Sequence, residues 1–150
     1  MGVEIERKFL VKAELLPELL APDSIEQGYL SSKPTVRVRL RTSPDGARSG
    51  FLTIKGPGLI SRAEFEYAIP PDDALALLAL CSTRLSKERH LLGRWEIDWF
   101  PALRLWLAEI ELSREDEPFE RPAFLGLEVS ADPRYGNASL ASLASRAVAR

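Results

Sequence analysis

Acidic side chains recur two residues apart in this sequence, at Glu4/Glu6, Glu64/Glu66, Glu96/Asp98 and Glu109/Glu111. Basic ones do the same at Arg37/Arg39 and Lys87/Arg89, with Lys8 and Lys55 added. On a β-strand, residues i and i+2 share a face about 6.6–6.8 Å apart, so each pair aims two like charges at one volume. If a sheet closed with that face inward, its lumen would hold the eight carboxylates of the four acidic pairs and at least six cations. Charges withdrawn from water at that density cost several kcal/mol each unless paired or metal-bound, which implies a ligand. Carboxylates without His or Cys suit Mg2+ or Mn2+, and clustered Arg and Lys suit phosphate oxygens. Together they read as a site for a metal-chelated polyphosphate. The competing reading of the same alternation is an antiparallel sheet with one face on the core and one in water. Against it stands the near-total use of charged residues, which are poor strand formers, and their ordering by sign from strand to strand.

The elements that must position these groups follow from the same periodicity. Charged and apolar residues alternate over residues 3–9, 36–41, 51–55, 64–69, 87–89, 95–99, 109–112 and 127–129, predicting eight or nine strands. Arg7 breaks the pattern by falling on the apolar side. Turn residues at Ser43-Pro44-Asp45-Gly46, Gly56-Pro57-Gly58, Gly93 and Pro101 separate the strands at short spacings, which favours antiparallel hairpins. Helices are predicted over residues 13–20 (short or kinked at Pro17), 71–81 and 138–149; the acidic, proline-bearing stretch 113–124 reads as loop. Trp95 and Trp99 alternate with Glu96 and Asp98, and Trp106 is opposite in parity to Glu109 and Glu111, so all three indoles are expected to point away from the charged face.

A chain of 150 residues suits one domain with a real core, and residues 1–150 are read as one. Twenty Lys+Arg against 22 Asp+Glu leave a net charge of −2, which disfavours a general nucleic-acid coat. Cys81 is the sole cysteine, so no intrachain disulfide forms. The opening Met-Gly-Val-Glu-Ile-Glu-Arg-Lys has no apolar export core, and no stretch approaches the roughly 20 apolar residues that span a bilayer. A cytoplasmic protein without a membrane partner is expected.

Several motifs, taken in order, carry a resemblance. Glu4-Ile5-Glu6-Arg7-Lys8 is an ExExK signature, followed by Gln27-Gly28-Tyr29-Leu30, Arg37-Val38-Arg39, Thr53-Ile54-Lys55-Gly56, and Ser61-Arg62 before Glu64-Phe65-Glu66. Lys87-Glu88-Arg89, Glu96-Ile97-Asp98, Glu109-Ile110-Glu111, Glu128-Val129-Ser130 and Tyr135-Gly136-Asn137 complete the series. In order and spacing the chain resembles the CYTH family, the triphosphate tunnel metalloenzymes. The resemblance implies an α+β, mainly β fold: a closed eight-stranded antiparallel barrel with a few flanking helices, whose tunnel acts on triphosphates with divalent metal. Carried onto this sequence, it implies substrate-binding cations at Lys8, Arg37, Arg39, Lys55, Arg62, Lys87 and Arg89. Metal-binding acids would come from Glu4, Glu6, Glu64, Glu66, Asp98, Glu109, Glu111 and Glu128, holding two Mg2+ or Mn2+ ions, one favoured at Glu109 and Glu111 and one near Glu4 and Glu6. Lys8, Lys55 and Lys87 are the catalytic lysines it implies, Lys8 orienting a water and Lys55 or Lys87 neutralising the leaving oxygen. Gly136 stands where similar members often carry a Lys.

The leading functional expectation is hydrolysis of inorganic triphosphate (tripolyphosphate) to pyrophosphate and phosphate. Its rivals are a thiamine triphosphatase, a nucleoside triphosphatase, a class IV adenylate cyclase and a noncatalytic polyphosphate-binding module. The expected partner is a small-molecule triphosphate, with a homodimer left open. His90, opposite in parity to Lys87 and Arg89, and Cys81, at the end of an apolar stretch, are expected to be structural. Gly56-Pro57-Gly58 lacks a Walker lysine and is expected to be a hairpin turn. Tyr29 fits either a core aromatic or a tunnel-lining position.

Overall fold

Alternation extends the chain into nine strands in the computed structural model, which describes residues 2–148. They are β1 (Gly2–Val11), β2 (Asp23–Ser32), β3 (Thr35–Thr42), β4 (Arg48–Lys55), β5 (Ser61–Ile69), β6 (Thr83–Leu92), β7 (Trp95–Phe100), β8 (Leu105–Glu111) and β9 (Leu125–Glu128). Helix α1 (Pro71–Leu78) follows β5, and α2 (Asn137–Val148) ends the described chain. The sheet runs β5-β4-β3-β2-β6-β7-β8-β1, and β1 pairs with β5 to close an eight-stranded antiparallel barrel. Closure divides one edge of β1: Gly2–Ile5 face β5, whereas Phe9 and Val11 face β9, which lies outside the ring.

The barrel has two unlike surfaces because strand parity does. Outward residues of β1, β7 and β8 (Phe9, Trp95, Ile97, Ala108 and Ile110) pack beneath Phe119 and Phe124 of the following loop and Leu16 and Leu19 of the β1–β2 connection. On the other flank α1 covers β3 and β4, burying Ala74 and Leu78 against Val38 and Leu40. Pro71 and the acidic Asp72 and Asp73 start that helix, as expected from its free N–H groups and dipole. Inside, β1, β6, β7 and β8 change from charged to apolar along their length. Leu10, Leu85, Phe100 and Leu107 gather at one end of the barrel, where Leu140, Ala141 and Ala144 of α2 close over them. Charge is thus confined to the remaining interior, where every barrel strand except β2 contributes to it.

Three sequence expectations change. Residues 13–20 form only a 3-10 turn at Ala13–Leu15, because Leu16 precedes Pro17 and takes the extended conformation that a following proline imposes. Helix α1 stops at Leu78, three residues early, with the Leu80 and Cys81 N–H groups folding back onto the Leu77 and Leu78 carbonyls. The third helix runs from Asn137, and its expected end at residue 149 lies outside the described residues. Strand β2 carries no charge alternation: its inward positions are Ile25, Gln27 and Tyr29, in register with Arg41, Arg39 and Arg37 of the adjacent β3. The three indoles do point outward, with Trp95 in the outer core and Trp99 stacked at 5.0 Å on Trp106.

Candidate active site

Inward positions of seven strands meet around a cavity of about 200 Å3. Strand β1 contributes Glu4 and Glu6, β3 contributes Arg37, Arg39 and Arg41, and β4 contributes Lys55. Glu64 and Glu66 come from β5, Arg89 from β6, Glu96 from β7, and Glu109 and Glu111 from β8; Asn137, at the start of α2, reaches in from the capped end. Glu64, Glu66 and Glu111 continue to the outer mouth beside Gly2 and Val3. At the inner end, Arg37, Lys55 and Asn137 also line a second space of about 420 Å3, bounded by Tyr29, Lys33, Leu59, Arg62 and Gly136. Of the charged groups, acids alone thus line the outer mouth and cations alone the inner space, with both signs mixed in the cavity between.

Most cations are already matched. Lys55 Nζ lies 2.8 Å from Glu4, and Arg62 reaches the same carboxylate at 3.3 Å. Lys8 Nζ donates to the Tyr135 carbonyl at 2.8 Å and lies 3.4 Å from Glu109. Arg89 grips Asp98 through two bonds of 2.8 Å and Glu96 through a third of 2.8 Å, while Lys87 Nζ is 2.9 Å from Asp98. Burial alone would raise the Asp98 carboxyl, but Lys87 and Arg89 outweigh it and hold it below its ordinary value. Lys87 is pushed down to about 7, chiefly by burial. Asp98 thus sits behind the cavity as an anchor for two cations, and its oxygens are taken. Glu96, on the same face of β7, is the acid that lines the cavity in its place.

Glu128 departs further from its expected place. It lies on β9, outside the ring, where Arg7 Nε and Nη2 hold it at 2.7 and 2.5 Å and Ser130 donates to it at 2.7 Å. That pairing also accounts for Arg7, whose guanidinium lies on the outer face over Phe119 at 5.0 Å. Glu128 is in register with the outward Phe9, and because β5 leaves the edge of β1 before that point, β9 lies outside the ring with no lumen to face. His90 likewise lies outside, its Nδ1 2.8 Å from the Leu20 carbonyl, and Cys81 packs against Gly28.

The remaining acids fit a hard cation by donor type. Every acidic group on the cavity is a carboxylate, with neither His nor Cys among the lining residues. Glu109 Oε1 is buried without a hydrogen-bond donor. Burial, then the charges of Glu109 and Glu4, push the Glu6 carboxyl up to about 8, so Glu6 keeps a proton where three carboxylates compete. A divalent ion relieves such competition better than a proton does. Among the described residues no three acids are gathered as a ready coordination sphere, since Lys55 and Lys8 draw Glu4 and Glu109 aside.

Sequence reasoning passed over Arg41, Thr53, Gln27 and Asn137 as site residues. Arg41 simply continues the Arg37/Arg39 spacing and pairs with Asp23. Thr53 lies between Arg37 and Glu66, at 3.4 and 2.9 Å. Asn137 Oδ1 is 3.3 Å from Lys87 Nζ. Spacing could have signalled Arg41, whereas Gln27, Thr53 and Asn137 are uncharged, so only their motifs, Gln27-Gly28-Tyr29-Leu30, Thr53-Ile54-Lys55 and Tyr135-Gly136-Asn137, could have signalled them.

A chain with this barrel and interior is similar to known proteins over nearly all its length. The CYTH domain model matches residues 2–143. An inorganic triphosphatase of Acetivibrio thermocellus is 38% identical over 149 residues, covering 93% of this chain and 94% of the relative. One of Nitrosomonas europaea is 35% identical over 148 residues, covering 92% and 96%. A crystal structure of an inorganic triphosphatase superposes with a TM-score of 0.61 at 34% identity, covering 94% of this chain and 95% of that one. With the barrel closed, the charged interior assembled and the match spanning almost every described residue, the chain belongs to the CYTH domain family.

Proposed function

We propose that this protein hydrolyses inorganic triphosphate to pyrophosphate and phosphate inside the barrel, with Mg2+ or Mn2+ held by tunnel carboxylates. The observation that carries the reading is a small cavity whose lining is wholly polar, with arginines beside crowded carboxylates. Such a lining suits a polyanion and offers no surface to a ring, which wants apolar or aromatic contact. The similarity to two inorganic triphosphatases supports the same substrate class.

Glu4, Glu6 and Glu109, with Glu64, Glu66, Glu96 and Glu111 towards the mouth, would hold the cations, which when bound add positive charge to phosphate oxygens and make a water more acidic. The chain itself supplies position and charge, which is most of what phosphoryl transfer requires. Arg37 and Arg39 hold the triphosphate, their forked guanidiniums matching phosphate oxygens. Asp98 presets Arg89 and Lys87 from behind. Lys8, tied to the Tyr135 carbonyl, orients the attacking water. As the water oxygen bonds to the terminal phosphorus, the bond to the bridging oxygen breaks. Lys87 Nζ, near neutrality in pKa, or Lys55 Nζ gives a proton to the departing pyrophosphate. The water's protons leave with the phosphate product, one being released to solvent, from which the lysine is reprotonated. A cytoplasmic setting belongs to the same reading.

A second reading has one observation in its favour: Tyr29 and Leu59 line the basic space at the inner end, where a ring attached to a triphosphate could rest. Phosphate release from tripolyphosphate, ATP and thiamine triphosphate, with product identification, separates the two. We expect the highest kcat/KM for tripolyphosphate, abolished by chelator and restored by Mg2+ or Mn2+. Equal or higher efficiency for a ring-bearing substrate favours the second reading, and cyclic AMP from ATP moves the protein to the cyclases. Tight binding without turnover makes it a polyphosphate-binding module.

A further inference from the structure

Arg39 differs from every other tunnel cation. Among the described residues Lys8, Arg37, Arg41, Lys55, Arg62, Lys87 and Arg89 each have a carboxylate within 4.0 Å, and Arg39 has none. The cause is register. Arg39 is flanked on β4 by Phe51 and on β2 by Gln27, and Gln27 is flanked in turn by Leu85 of β6, so the row contains no acid. Burial, with the neighbouring charges of Arg37 and Arg89, lowers the Arg39 pKa to about 9, as expected of a cation without a counter-charge.

Its guanidinium is nonetheless held in place. Nε and Nη2 of Arg39 donate to one oxygen, Gln27 Oε1, at 3.1 and 2.9 Å. Gln27 is fully buried, and its Nε2 has no hydrogen-bond partner. An unpaired buried amide nitrogen is destabilising, and a glutamate at the same place would carry no such donor and would pair with the arginine. The residue that would neutralise Arg39 is therefore absent from this position.

We infer that Gln27 is a positioning residue which aims Arg39 into the tunnel without neutralising it, so that the full charge of Arg39 is kept for a phosphate of the substrate. An amide oxygen fixes the fork by its dipole, whereas a carboxylate would have to be displaced by the incoming phosphate. Arg89, clamped by Asp98 and Glu96, shows what that alternative looks like in the same barrel. The inference rests on the triphosphatase reading and names the residue pair that sets affinity within it.

The test compares Gln27→Glu, Gln27→Met, Arg39→Met and the double variant Gln27→Met/Arg39→Met, by calorimetric Kd for tripolyphosphate, by KM and kcat with Mg2+, and by melting temperature. Gln27→Glu should raise Kd and KM at least about tenfold while kcat changes less than about threefold and the melting temperature does not fall. Gln27→Met should lower kcat/KM at least about fivefold in the parent but less than about twofold when Arg39 is already Met, since there is then no guanidinium to aim. Wild-type Kd and KM in a folded Gln27→Glu protein would overturn the inference. So would equal effects of Gln27→Met with and without Arg39, or losses that follow melting temperature alone. A parent protein that neither binds nor cleaves tripolyphosphate defeats the underlying reading instead, which the variants are not needed to reveal.

Discussion

Lys87 and Asp98 are 1% and 0% exposed, and their pairing shows how burial tunes a single residue in this barrel. Desolvation lowers the Lys87 pKa from 10.5 to about 7 even with Asp98 at 2.9 Å, because Arg89 and Arg39 add like charge. Between those two values the unfolded chain binds the proton that the folded chain has released, so this group adds stability as pH rises through the window. Anion binding moves the opposite way, since the ammonium is lost as pH passes about 7. We therefore expect KM for tripolyphosphate to climb above neutral pH with no matching loss of thermal stability from this residue. Lys87→Arg keeps the charge and should flatten the climb. Parallel KM profiles for the two proteins would remove Lys87 from substrate binding.

At the scale of elements, β2 and α1 meet closely enough to leave room only for glycine. A Cβ at Gly28 would lie 2.8 Å from both Cβ and Sγ of Cys81 and 3.3 Å from Leu78. This close approach seats the end of α1 on the outer face of β2 while Gln27 and Tyr29 face inward on either side. Gly28→Ala should lower stability by about 1–3 kcal/mol through overpacking, seen as a reduced melting temperature. Its tripolyphosphate KM should change far less, because the crowding is on the outer face. A melting temperature equal to that of the parent would mean that α1 yields freely. The same division between faces explains why β2 escaped the charge pattern: its inward residues are neutral, and its charged neighbours are supplied by β3 and β6 on either side.

For the whole molecule, the closed barrel couples metal to substrate through charge. Glu64, Glu66 and Glu111 lie towards one mouth, and Arg37, Lys55 and Arg62 towards the other. A polyanion alone relieves the cations but repels the acids, and a divalent ion alone does the reverse. Each should therefore bind better when the other is present. Thermal melting with Mg2+, with tripolyphosphate under a slowly hydrolysing condition such as low temperature pre-equilibration, and with both should give a combined rise larger than the sum of the two separate rises. Saturation at about 100 times Kd stabilises by about 2.7 kcal/mol per ligand, so the excess is measurable. Strictly additive rises would mean that the two ligands do not share the lumen.

Side-chain parity was legible from the sequence alone because it belongs to the backbone of one strand: residues two apart share a face whatever the strand pairs with. That placed Glu4, Glu6, Arg37, Arg39, Lys55, Glu64, Glu66, Arg89, Glu109 and Glu111 on the face of their strands opposite to the tryptophans, and closure of β1 onto β5 made that face the interior. Pairing between strands is different, since it depends on register and closure among segments far apart in sequence. Only the tertiary structure could show that Asp98 is sealed behind Arg89 while Glu96 faces the cavity. It alone could show that Glu128 meets Arg7 outside the ring. The row Phe51, Arg39, Gln27 and Leu85 is of the same kind, for the absence of an acid beside Arg39 is a property of four strands aligned and of none of them singly.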